Sequence, residues 1–215
     1  MPLSAAGNPI GGLLLVRASP EKIVSWVSRG VVAAHVTPLG DWTAVTVAER
    51  RGRAIAPYDD ARTALVARPL STNLRPAIGF FAAGRRGVIV LQSPGWRAVQ
   101  RWVVWSPGVG VVRSPRLPAA RPRDLAALAG IGASGVPRLL GALREAHAGP
   151  LGWLGGVHTA LALPGRALLT DPDAPRGLLV EPGPDSLARF DAMMREHAAH
   201  LAEVAPPTPR PGGRS

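Results

Sequence analysis

The 215-residue chain contains no cysteine, so a disulfide framework, a thiolate zinc site, an iron–sulfur cluster and a thiol nucleophile are all excluded. Lysine is nearly absent. Of 25 basic residues, 24 are Arg, and Lys22 is the exception. There is one Tyr and three Phe. No apolar run approaches the roughly 20 residues that span a bilayer. The start, Met1 to Gly12, lacks a basic region ahead of its short apolar stretch, so no secretory signal is expected. These absences predict a cytoplasmic globular protein with no membrane partner.

What is present is a 47% hydrophobic composition, enough for a real core, and a formal charge of +11. The abundance of Arg with 25 Gly and 23 Pro matches a GC-rich coding sequence, which inflates the basic count. Position is therefore more informative than the total. Residues 1–118 hold 15 basic and 5 acidic side chains, a balance of +10. Residues 119–183 hold 6 and 5, and residues 184–215 hold 4 and 4.

The apolar pattern predicts a strand over 13–17. A helix opens at Ser19-Pro20-Glu21, with Ser as cap and Pro at the first position, and ends at Gly30. Strands follow over 31–37 and 42–48, then a helix over 59–68. Strand pairs over 77–82 and 87–92, and over 102–105 and 109–113, flank short turns. The order β-α-β-β-α followed by hairpins predicts an α+β fold, ferredoxin-like in its first half, with an antiparallel sheet. Residues 114–122 carry three prolines and read as a linker. Beyond it come short helices over 124–129 and 134–146, strands over 157–163, 166–170 and 177–181, and a long helix over 185–204. Leu187, Phe190, Met194, His197 and Leu201 form a stripe on that last helix that predicts docking. This divides the chain into a basic α+β domain (1–115), a helical and hairpin region (116–204) packed on it or separate, and a Pro/Gly-rich disordered tail (205–215).

Residues 122–141, P-R-D-L-A-A-L-A-G-I-G-A-S-G-V-P-R-L-L-G, resemble a helix-turn-helix. Leu125, Ala129, Ile131, Val136 and Leu139 occupy its small-core positions, Ala126 allows close helix approach, and Gly130 supplies the turn. The resemblance covers about a tenth of the chain. It implies that Ser134 caps the second helix and that Arg138 and Arg144 face DNA, with Arg121 and Arg123 beside them. Residues 157–170 would then form a wing, with Arg166 near the DNA backbone. Pro137 fits such a helix only in its first turn. DNA affinity comes largely from phosphate neutralisation, and the excess charge lies outside this segment. The position of the first-half arginines relative to residues 134–146 is therefore the discriminating observation.

Other constellations are weighed against structural roles. Ala34-His35-Val36-Thr37 resembles half of a two-histidine phosphoesterase signature, in which His and a hydroxyl two residues on share a strand face. In the second copy, at His158, Thr159 takes the following position and Ala160 the one after, so the pattern is broken. The alternative is a strand His bonded to backbone. His197 and His200 lie three apart on a helix but lack a third ligand nearby, so no metal and no cofactor is predicted. Trp96, Trp102 and Trp105 interleave with Arg97 and Arg101 as in a single-strand platform, or are core and edge residues. Arg50, Arg51, Arg53, Arg85 and Arg86 form an anion patch if they cluster.

The leading expectation is a non-enzymatic, nucleic-acid-associated or regulatory protein whose partner is DNA or another polyanion. The alternatives are an interaction or effector-binding module, with a protein partner or homodimer through the last helix, and the phosphoesterase.

Overall fold

The computed structural model describes residues 11–49, 60–95 and 99–204, with side chains described as far as residue 200. Among these residues there are eight strands in one antiparallel sheet and seven α-helices, an α+β architecture.

The sheet grows from the run Leu13-Leu14-Leu15-Val16. These residues make β1 (Gly12–Val16), which is buried throughout. A strand apolar at every position needs cover on both faces. Leu13 and Leu15 accordingly enter one core, and Leu14 and Val16 the other. Helix α1 (Pro20–Ser28) follows, with Pro20 at its start and Ser19 in extended backbone at the cap, although the Ser19 hydroxyl makes no capping bond. Strands β2 (Ala34–Leu39) and β3 (Trp42–Val47) form a hairpin. Helix α2 (Ala61–Val66) is capped by Asp60, whose carboxylate accepts from the backbone N–H groups of Arg62 and Thr63 at 2.9 and 3.0 Å. Strand β4 (Ala77–Ala83) then pairs with β1. These four strands stand in the order β4-β1-β3-β2, all neighbours antiparallel. That is the ferredoxin-like arrangement. Helices α1 and α2 share one face, where Ile23, Trp26, Val27, Leu65 and Val66 are buried.

The sheet is extended on both sides. Strands β5 (Arg86–Gln92), β6 (Arg101–Ser106) and β7 (Gly110–Val112) add beyond β4. The proline-bearing segment that follows does not run free: Trp102 donates to the carbonyl of Pro118 and accepts from the N–H of Ala120, both at 2.8 Å. Beyond β2, strand β8 (Leu178–Val180) closes the other edge.

Helices α3 (Pro122–Ala129), α4 (Val136–Arg144), α5 (Pro150–Ala160) and α6 (Arg166–Thr170) cover the second face. Their Leu125, Leu139, Trp153 and Leu169 share one core with Leu15, Phe80, Ile89 and Trp105. Residues 1–115 and 116–204 thus contribute to the same sheet and the same core. Trp105 and Trp153 stack at 5.6 Å between centroids, and the lack of a side chain at Gly87 makes room: a Cβ there would meet the Trp153 ring at 2.6 Å.

Two strand expectations are corrected here. Residues 157–163 lie mainly in α5, and 166–170 form α6. Pro150 opens α5, and Trp153, Leu154, Val157, His158 and Ala160 are buried on it. A helix covered on nearly all sides shows no 3.6-residue alternation, so periodicity cannot separate it from a buried strand. The wing hairpin expected at 157–170 is therefore absent. Helix α4 is capped by Gly135, not Ser134, which is exposed in a single 3₁₀ turn over Ala133–Gly135. Pro137 does fall in the first turn of α4. Helix α7 (Pro184–Val204) buries Phe190, with Leu187 and Met194 half-buried, but His197 is exposed, and the Leu201 side chain of the expected stripe lies outside the described residues. The expected tail at 205–215 lies outside the described residues.

Candidate functional site

Antiparallel pairing decides which side chains meet. The end of β1, the start of β6 and the end of β7 all fall at one end of the sheet. Arg17 follows β1, Arg101 begins β6 and Arg113 follows β7, and all three are exposed. Helix α3 joins them. At its start, the Asp124 carboxylate accepts from the Arg101 guanidinium at 3.1 Å and from the Arg121 backbone N–H at 2.9 Å, with Arg123 at 4.0 Å. At its other end, Gly130 adopts the left-handed conformation (φ 74°) that glycine takes without strain. The Arg17 guanidinium lies 3.9 Å from where a Gly130 side chain would begin, and it stacks over Trp42 at 4.9 Å.

The outcome is a basic rim of Arg17, Arg101, Arg113, Arg121 and Arg123 around the first helix of the hairpin. One carboxylate, Asp124, bonds within it. Arg17, Arg113 and Arg121 have no carboxylate within 4 Å among the described residues. Of these five, only Arg121 and Arg123 are prominent in the sequence motif. Arg101 stands out in the sequence only through its interleaving with tryptophans, and Arg17 and Arg113 carry no signal beyond their place at strand ends, which requires the strand order.

The second hairpin helix is arranged differently. Arg138 is exposed but donates to the carbonyl of Ala160 at 3.4 Å, placing a cation at the C-terminus of α5, where the helix dipole favours it. Arg144 is exposed in the last turn of α4, and Ser134 is exposed without a capping bond. Arg85 and Arg86 are exposed at the β4–β5 turn, beside Ser106 and Pro107 and at the end of the sheet opposite the rim. Arg50, Arg51 and Arg53, the rest of the expected patch, lie outside the described residues, as do Trp96 and Arg97.

The tryptophans are largely structural. Trp26, Trp42, Trp105 and Trp153 are buried, and Trp102 and Trp105 face opposite cores, as their odd spacing demands.

His35 and Thr37 share a strand face and both close on Gly177. His35 Nδ1 lies 3.3 Å from its carbonyl, and the Thr37 hydroxyl accepts from its N–H at 2.9 Å. His158 sits elsewhere, fully buried on α5, with Nε2 3.1 Å from the carbonyl of Pro164 and its ring 5.2 Å from Phe80. Burial pushes its imidazole down to about 4. Thr159, on the same helix, donates to the carbonyl of Gly155. The two histidines therefore engage separate backbone carbonyls, and His158 is fully buried. Among the described residues, no group of three or more acidic or imidazole side chains is placed to hold a metal. No described helix is long and apolar enough to cross a membrane.

No protein-family model, curated protein or solved structure matches the chain. The reading of the site rests on its own geometry.

Proposed function

We propose that the protein binds the phosphate backbone of a nucleic acid through the basic rim, as a non-enzymatic nucleic-acid-associated protein. The supporting observation is that arginines of the first half, Arg17 and Arg101, meet the helical hairpin at opposite ends of α3. Three first-half arginines, Arg17, Arg101 and Arg113, thus border the motif, although they are far from it in sequence. Neutralising several phosphates releases condensed counterions, and that release supplies most sequence-independent affinity.

The rim carries most of this affinity because it gathers five guanidinium groups, whereas α4 presents two, Arg138 and Arg144. Anisotropy titrations of a labelled oligonucleotide at several salt concentrations test the reading. Arg113→Glu and Arg121→Glu weaken binding and each flatten the dependence of log K on log salt by roughly one unit or more. Arg138→Ala with Arg144→Ala changes it little. Absence of binding at low salt rejects the reading. So does full retention of affinity in the doubly reversed rim variant.

A further inference from the structure

The rim borders a groove of about 700 Å³, within the size range of small-ligand pockets. It opens between β6, the end of β7 and the return segment through Ala119. Its basic residues are Arg101, Arg113 and Arg121, and Val103, Val111 and Ala119 are among its apolar ones. Val111 is 47% exposed there. Arg101 is paired with Asp124, so Arg113 and Arg121 are the guanidinium groups left for a ligand. The groove therefore offers an apolar surface and two cations in its lining.

Duplex DNA makes little use of such a combination, because its bases are stacked inside and mainly phosphates face out. An unpaired nucleotide presents a flat, weakly polar base and a phosphate together. Resting on the polyanion reading above, we infer that this groove seats one unpaired nucleotide of a single strand. The base lies against Val111, at the mouth of the groove, and the phosphate meets Arg113 and Arg121. The neighbouring nucleotides continue along the rim toward Arg123 and Arg17.

The test compares the full chain with oligothymidylate, a duplex of equal length and thymidine monophosphate, all at one salt concentration. The single strand is expected to bind about threefold tighter than the duplex, below the roughly tenfold or more of a base stacked on an aromatic ring, because the seat is aliphatic. Ala119→Trp fills the groove without altering charge. It abolishes the preference and leaves duplex binding unchanged, with the circular dichroism spectrum checking the fold. Val111→Trp, on the exposed edge strand, serves if the first variant misfolds. Equal binding of strand and duplex overturns the inference, as does a preference that survives both fillings. Thymidine monophosphate binding as tightly as the strand also overturns it, assigning the groove to free nucleotides. Failure of strand and duplex alike to bind rejects instead the underlying polyanion reading.

Discussion

Arg101 and Asp124 meet at 3.1 Å, joining the first residue of β6 to the first turn of α3. The same carboxylate accepts from the Arg121 backbone N–H, so one side chain caps the helix, pairs a strand-end arginine and sits within the basic rim. Its cap and its charge have opposite consequences.

Asp124→Ala removes the cap and is expected to lower stability by about 1 kcal/mol, a typical capping contribution. The ion pair adds little, since the Arg101 side chain is 44% exposed. The same substitution removes the carboxylate within the rim and frees Arg101, so polyanion affinity rises. Urea denaturation and anisotropy on one preparation measure both effects. Tighter binding from a less stable protein is the expected pair of results; weaker binding would show that Asp124 positions the rim.

His158 predicts an acid-sensitive fold. Its folded value is held near 4 by burial, against an ordinary value of 6.5. Between these values the unfolded chain binds a proton that the folded chain refuses. The sign therefore makes stability rise with pH across this window and fall as pH drops from about 6.5 to about 4, by about 3 kcal/mol in all. Above 6.5 the group contributes no pH dependence. His158→Gln, compared with the parent chain by denaturant unfolding at pH 7.5 and 4.5, should show a smaller loss on acidification. Equal losses in the two proteins would refute the assignment.

Thr37 and His35 predict a structural phenotype. Thr37→Val leaves the part-buried Gly177 N–H without its acceptor, which costs roughly 0.5–1.5 kcal/mol, the net worth of one hydrogen bond. Gly177→Ala brings a Cβ to 2.2 Å from the carbonyl of Val36 and forces β8 away from β2. Hydrogen exchange should accelerate over Leu178–Val180 in both variants, while Thr37→Ser stays close to the parent. Unchanged exchange in Thr37→Val would show that β8 is held by its ladder alone.

Local chemistry made much of the fold legible. The Leu13–Val16 run, the Ser19-Pro20 helix start, and the turns at Gly40 and Gly84 specify elements through backbone conformation and burial alone. Their order was enough to place β1 to β4 in the ferredoxin-like arrangement. Residues 150–170 were not legible. Helix α5 is buried on nearly every side and lacks a polar face, and α6 is a single five-residue turn too short to show a helical period, so both read as strands. The helical hairpin was visible at 122–144, but the cap of its second helix moved from Ser134 to Gly135.

The amino-acid sequence by itself determined that the charge is arginine, that +10 of it lies in residues 1–118, and that a helical hairpin follows. It placed the charge and the hairpin apart. Only the tertiary structure brought three of those arginines, Arg17, Arg101 and Arg113, to the hairpin, because antiparallel pairing gathers the end of β1, the start of β6 and the end of β7 at one end of the sheet and α3 lies against that end. Strand order is set by which apolar faces can be buried together across the whole chain. No local spacing around Arg17, Arg101 or Arg113 encodes it.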